Sequence, residues 1–233
     1  MSQTEQQILD ALAQAVIDLN ASQAEQLAKE GLDAGVSPHR IIADGLSRGM
    51  QVIGERFKRA EVFIPEVLVA CDAYYAGLAV AKPHLAASER KQYIAKMVIG
   101  TIYGDIHTVG KDVAVPVFEA AGFDVVDLGA AVPDEKFVEA VREHQPELVG
   151  LGTYMTSTFM HTKETVRALA EAGLRDGLKV ICGGPAVDVE TARKMGADDA
   201  SDNAWDAVER MKKLVEQLRA ERNAPDATKG AVQ

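Results

Sequence analysis

The sequence predicts an α/β protein: an N-terminal bundle of four helices, then a doubly wound parallel sheet of five strands. Three observations carry this. Apolar residues recur at three- and four-residue spacing from Thr4 to Ala87, as one buried helix face requires. From Ala95 onward, short β-branched runs alternate with helix-length amphipathic stretches, the pattern of βα units. Between the halves lies the polar stretch Ser88-Glu89-Arg90-Lys91-Gln92, so the domains are read as 1–90 and 91–220, with an unstructured tail from Glu221 to Gln233.

In the helical half, Ile8, Leu9, Leu12, Val16 and Leu19 form the first apolar face. Asn20-Ala21-Ser22 caps the next helix, and Gly35-Val36-Ser37-Pro38 closes it and opens a third with Pro in its first turn. Phe63-Ile64-Pro65-Glu66 opens the fourth in the same way.

In the second half the strands are expected at Ala95–Thr101, Val125–Gly129, Leu148–Gly152 and Val180–Gly183, with a weaker fifth at Asp198–Ser201. Ligands of such sheets sit outside the carboxyl ends of the strands. The loops after Thr101, Gly129, Gly152 and Gly184 are therefore where chemistry is sought.

Composition narrows the function. A net charge of −10 and a pI near 5.0 argue against a nucleic-acid partner, which needs clustered Lys and Arg. Cys71 and Cys182 are far apart and each lies in an apolar run, so they read as reduced, buried thiols of a cytoplasmic protein. The start Met1-Ser2-Gln3-Thr4-Glu5 has no export signature, and no run suggests a membrane span.

The first loop, Gly104-Asp105-Ile106-His107-Thr108-Val109-Gly110, is the most informative stretch. A histidine at the sheet's carboxyl edge can offer one ring nitrogen to a metal, while a carboxylate two residues earlier accepts the hydrogen on the other and fixes the tautomer. Gly110 lets a bulky ligand approach the backbone at the helix start. An exposed loop histidine beside a capping aspartate would carry the same D-x-H spacing. His39, His84, His144 and His161 lack such a setting and read as solvated.

The spacing D-x-H-x-x-G in a parallel α/β half resembles the lower-axial-ligand motif of cobalamin-binding domains, as in methionine synthase, the base-off mutases and the corrinoid proteins of methyltransferase systems. Gly49-Met50-Gln51-Val52-Ile53-Gly54-Glu55-Arg56-Phe57 and Glu61-Val62-Phe63-Ile64-Pro65-Glu66-Val67-Leu68 resemble the helical cap of those corrinoid proteins, so the resemblance spans about residues 5–218. It implies a flavodoxin- or Rossmann-like sheet, with His107 and Asp105 as the working pair and His107 on the cobalt.

The resemblance also implies that the cofactor's benzimidazole tail inserts between the loops after the third and fourth strands. There the chain has Gly152, Thr153, Tyr154, Thr156 and Ser157, then Gly183, Gly184 and Pro185. Gly152-Thr153-Tyr154 departs from the family's S-x-L at both marked positions: Gly152 widens the slot and removes a hydroxyl, and the Tyr154 ring can border the tail. Thr108 stands where many relatives have Asp. Tyr74 and Tyr75 are candidates to lie over the corrin, or else pack between helices.

Functionally, the resemblance implies a carrier that alternates between methylcobalamin and cob(I)alamin in an O-demethylase or a methylamine- or methanol-type system. Its partners would be a substrate-specific methyltransferase, a second methyltransferase with a folate or thiol acceptor, and a reductive activase. An alternative is a cobalamin-dependent sensor, although no DNA-binding helix-turn-helix is legible. A corrinoid-free receiver or nucleotide-binding domain lacks support, since the first loop is not G-x-G-x-x-G and no phosphorylatable acidic cluster is present.

Overall fold

The computed structural model describes residues 4–85 and 93–223. They fall into two compact units, Met1–Ile94 with His107–Asp127 and Ala95–Ile106 with Leu128–Gln233. The expected 90/91 boundary lies outside the described residues.

The first unit begins with α1 (Glu5–Ile17), whose Thr4 side chain accepts from Gln7 N at 3.4 Å while Gln7 Oε1 accepts from Thr4 N at 2.8 Å. Its buried face is Ile8, Leu9, Leu12 and Val16, as the spacing predicts. α2 (Ala21–Asp33) is capped by Asn20 and terminated at Gly35, which sits at φ +82°. Ser37 and Pro38 open the three-residue α3 (Pro38–Arg40), which continues as a π-helix (Ile41–Ser47) into α4 (Arg48–Lys58). Nothing in the apolar spacing announces this wider turn, a rare variant of the helix.

α5 (Ile64–Ala81) starts where Glu66 Oε2 accepts from Phe63 N at 3.1 Å. With its 3₁₀ extension to His84 it is long and apolar enough to cross a membrane by composition, which the sequence reading did not anticipate. Its Val67, Ala70, Ala73, Tyr74, Leu78 and Ala81 are instead core residues of the helical unit.

The crossing of α4 over α1 is set by Gly49, where an added Cβ would stand 2.7 Å from both Ala13 O and Val16 Cβ. Gly49→Ala should raise intrinsic helix propensity by ~1 kcal/mol. Overpacking nevertheless costs ~1–3 kcal/mol. A melting temperature lower by about 2–4 °C is expected for a chain of this length, and an unchanged or higher value would contradict this packing.

The strands are β1 (Lys96–Thr101), β2 (Asp124–Asp127), β3 (Leu148–Gly152), β4 (Lys179–Gly183) and β5 (Asp199–Ser201). They form one sheet in the order β2-β1-β3-β4-β5. β1 pairs with β3 from Met97↔Leu148 to Thr101↔Gly152, and β3 with β4 from Leu148↔Lys179 to Gly152↔Gly183, all parallel. The second unit adds α7 (Asp134–His144), α8 (His161–Glu171), α9 (Val189–Lys194) and α10 (Ala204–Asn223). Its core contains Val98, Leu148, Val149, Val180 and Phe137, each fully buried. α10 continues to Asn223, past the point at Glu221 where a tail was expected, because Leu214, Val215 and Leu218 keep its inner face buried.

In this order the chain reverses direction across the sheet between β1 and β3. A doubly wound sheet opens its ligand crevice at that switch, beyond the strands' carboxyl ends. The loops after β1 and β3 are therefore singled out by topology as well as by sequence.

Candidate functional site

Asp105 is pinned at its backbone and at its side chain. Its amide donates to Ile102 O at 3.0 Å, closing a turn in which Gly104 adopts φ +80°. Its carbonyl accepts from Thr101 Oγ1 at 2.6 Å and from Ala131 N at 3.0 Å. The carboxylate is wholly buried, and Oδ2 accepts from Tyr154 N at 2.7 Å, Met155 N at 3.3 Å, Thr158 Oγ1 at 3.1 Å and Thr153 Oγ1 at 3.5 Å. Charge-assisted bonds from consecutive amides and hydroxyls suit an ionised carboxylate.

Two residues later His107 is exposed, as are Ile106 (76%) and Val109 (51%). Thr108 is half-buried and precedes α6 (Val109–Ala120). A Cβ on Gly110 would meet nothing within 4 Å, so this helix start faces open space. Lys111, 6% exposed, ties the helix to β2 through Asp127 at 2.6 Å and also reaches Asp112 at 2.8 Å. Burial lowers the pKa of this ammonium, but its two acidic partners outweigh that and leave it raised.

In the loop after β3, Thr153 and Thr158 are buried while Tyr154, Thr156 and Ser157 are exposed. In the turn after β4, Gly183 and Gly184 are half-buried and Pro185 is exposed. Nearby, the fully buried Thr162 side chain on the inner face of α8 lies beside the Cys182 thiol.

Residues 95–210 match the family described as B12 binding domain, and residues 8–82 match a second family of that same description. The trimethylamine corrinoid protein of Methanosarcina barkeri is 38% identical over 208 residues, covering 89% of this chain and 96% of that one. This chain belongs to the cobalamin-binding corrinoid proteins. Cobalamin is its cofactor.

Other corrinoid proteins agree. The dimethylamine corrinoid protein of the same organism is 34% identical over 212 residues, with 91% and 99% coverage. A cobalamin-binding protein from Desulfitobacterium hafniense DCB-2 matches with a TM-score of 0.69 at 36% identity, over 88% of this chain and 97% of that one. The methanol:cobalamin methyltransferase complex of Methanosarcina barkeri matches with a TM-score of 0.80, over 95% of this chain and 86% of that one; at 24% identity it speaks to the fold alone.

The residues present fit the cofactor: an exposed imidazole after a buried carboxylate, and open space at Gly110 where the next helix starts.

Two sequence expectations need revision in this corrinoid protein. Tyr74 is 1% exposed inside the helical unit with its hydroxyl beside Ser47, so it has no free ring face. Burial, then the Glu119 charge, pushes its phenol well above the usual range. It falls on the buried stripe with Val67, Ala70, Cys71 and Leu78, whereas Phe63 (62%), Ile64 (40%), Val69 (44%) and Tyr75 (37%) carry the exposed apolar surface at α5. His161 is not simply solvated: its Nδ1 lies 2.5 Å from Glu164 Oε2, and its ring packs edge-on against Tyr103 with centroids 5.5 Å apart.

The hydroxyl run Thr156-Ser157-Thr158 matches the T-T pattern of the resembled family, but its sequence did not reveal that Thr158 donates to Asp105, a tie that spans 53 residues of chain.

Proposed function

We propose that this corrinoid protein is a cytoplasmic methyl carrier. It holds cobalamin base-off with His107 on the cobalt and passes a methyl group between a substrate-specific methyltransferase and a second one with a folate or thiol acceptor; a reductive activase keeps it in service. The observation that carries the reading is the buried Asp105 carboxylate, anchored by the loop after β3 and placed two residues before an exposed histidine at the sheet's switch point. The relatives' names, trimethylamine and dimethylamine corrinoid proteins, favour a methylamine-type system over an O-demethylase.

Bound cobalamin supplies the metal that accepts and releases the methyl group. The chain's own contribution is to hold the cofactor. Asp105, fixed by the donors to its Oδ2, would accept the hydrogen on one nitrogen of His107 and leave the other nitrogen to serve as the ligand. Gly152, Thr153, Tyr154, Thr156 and Ser157, with Gly183, Gly184 and Pro185, are the residues that would hold the benzimidazole tail.

The test is loading with cobalamin, reduction, and addition of the methyltransferase encoded nearby together with a methylamine, followed by absorbance. Conversion to the methylated corrinoid spectrum supports the carrier. Absence of corrinoid uptake, or uptake with no methyl loading, overturns it.

A further inference from the structure

Asp105 is fastened by more than the loop that touches it. Thr153, in that loop, is itself held by the turn after β4: its amide donates to Gly183 O at 2.8 Å. Its carbonyl oxygen fills the space a Cβ on Gly184 would need, and Gly184 sits at φ +124°, which a side chain would rarely adopt. The backbone of Thr153 is thus seated on the Gly183-Gly184 turn.

The side chain of Thr153 faces the acid. Oγ1 lies 3.5 Å from Asp105 Oδ2, 3.3 Å from Thr158 Oγ1 and 3.3 Å from Met155 O. Thr158 Oγ1 shares two of these acceptors, Asp105 Oδ2 at 3.1 Å and Met155 O at 3.0 Å. Exposure is 0% for Asp105, 3% for Thr153 and 8% for Thr158, so water does little to replace a lost bond here. Two hydroxyl hydrogens therefore serve one carboxylate oxygen and one carbonyl. Removing one hydroxyl forces the other to choose.

We propose that Thr153 is a positioning residue that transmits the arrangement of the Gly183-Gly184 turn to the Asp105 carboxylate. A shift of the turn moves Thr153, and with it the hydroxyl and the following two amides that hold Oδ2. The orientation of Asp105, and of the histidine two residues on, then answers to whatever occupies the turn after β4. Such a coupling is reciprocal, so ligation at the histidine also biases the turn. The functional consequence rests on the reading of His107 and Asp105 as the cobalt-ligating pair; the transmission itself belongs to the cofactor-free protein.

The experiment uses amide hydrogen exchange at Tyr154 and Met155 in the full chain without cobalamin. Thr153→Val should exchange about tenfold faster at both amides, the factor equivalent to ~1.4 kcal/mol, near the low end for a bond to a charged group. Thr153→Ser should match the native chain, and Gly184→Ala should accelerate the same amides although it touches neither. Unchanged exchange in Thr153→Val, or Thr153→Ser as fast as Thr153→Val, overturns the proposal.

With cobalamin bound, the histidine-ligated fraction should fall in Thr153→Val and recover in Thr153→Ser. If exchange changes as expected while the spectrum is insensitive even to His107→Ala, the transmission stands and the cobalt reading fails.

Discussion

His107→Ala is expected to abolish the histidine-ligated cobalamin spectrum while leaving the fold in place. His107 is exposed and precedes α6 instead of filling a core, so the melting temperature should move by no more than about 1–2 °C, the range of surface substitutions. Cobalamin affinity should fall at least about tenfold, because even the groups behind a metal-bound histidine are commonly worth 10–100-fold. The checks are the absorbance of the loaded variant, a binding titration, and a thermal melt of the unloaded one. A native spectrum would remove His107 from the metal.

Asp105→Ala has the opposite balance, with a large structural effect before any ligand is added. It strands the amides of Tyr154 and Met155 and leaves the Thr153 and Thr158 hydroxyls with only each other and Met155 O as acceptors. Leaving a buried donor without an acceptor costs ~1–3 kcal/mol, so the two amides and the weakened hydroxyls together lose about 3–5 kcal/mol. A fall in melting temperature of about 6–15 °C is expected for a chain this long. Asp105→Asn keeps an oxygen for the amides and should lose roughly half as much, since a neutral acceptor makes the weaker bond. Thermal melts of both variants decide it: equal melting of native and Asp105→Ala would show that the network does not hold the loop.

Much of the fold was legible because its signals are local. Ile8, Leu9, Leu12 and Val16 announce the buried face of α1, and Leu148–Gly152 reads as a buried strand from five consecutive residues. The first loop was legible for the same reason, since Asp105, His107 and Gly110 lie within one turn of chain.

What escaped depends on facing and distance. That Tyr74 points inward and Tyr75 partly outward is decided by which stripe of α5 the rest of the helical unit covers. Adjacent tyrosines look alike until that packing exists. Thr158 and Thr162 acquire their meaning from Asp105 and Cys182, partners that only the parallel pairing of β1, β3 and β4 brings near. Gly184 announced a turn, but not that its missing side chain makes room for the Thr153 carbonyl.

The partners of Asp105 Oδ2 lie 48 to 53 residues further along the chain. During synthesis the imidazole and its acid therefore leave the ribosome well before anything can steady them. Contacts of such long range form late, after the central strands have docked side by side. A nascent chain ending short of Thr158 has the whole first loop and still lacks a donor to Asp105 Oδ2, so that loop is fixed in place only as the α/β half is completed.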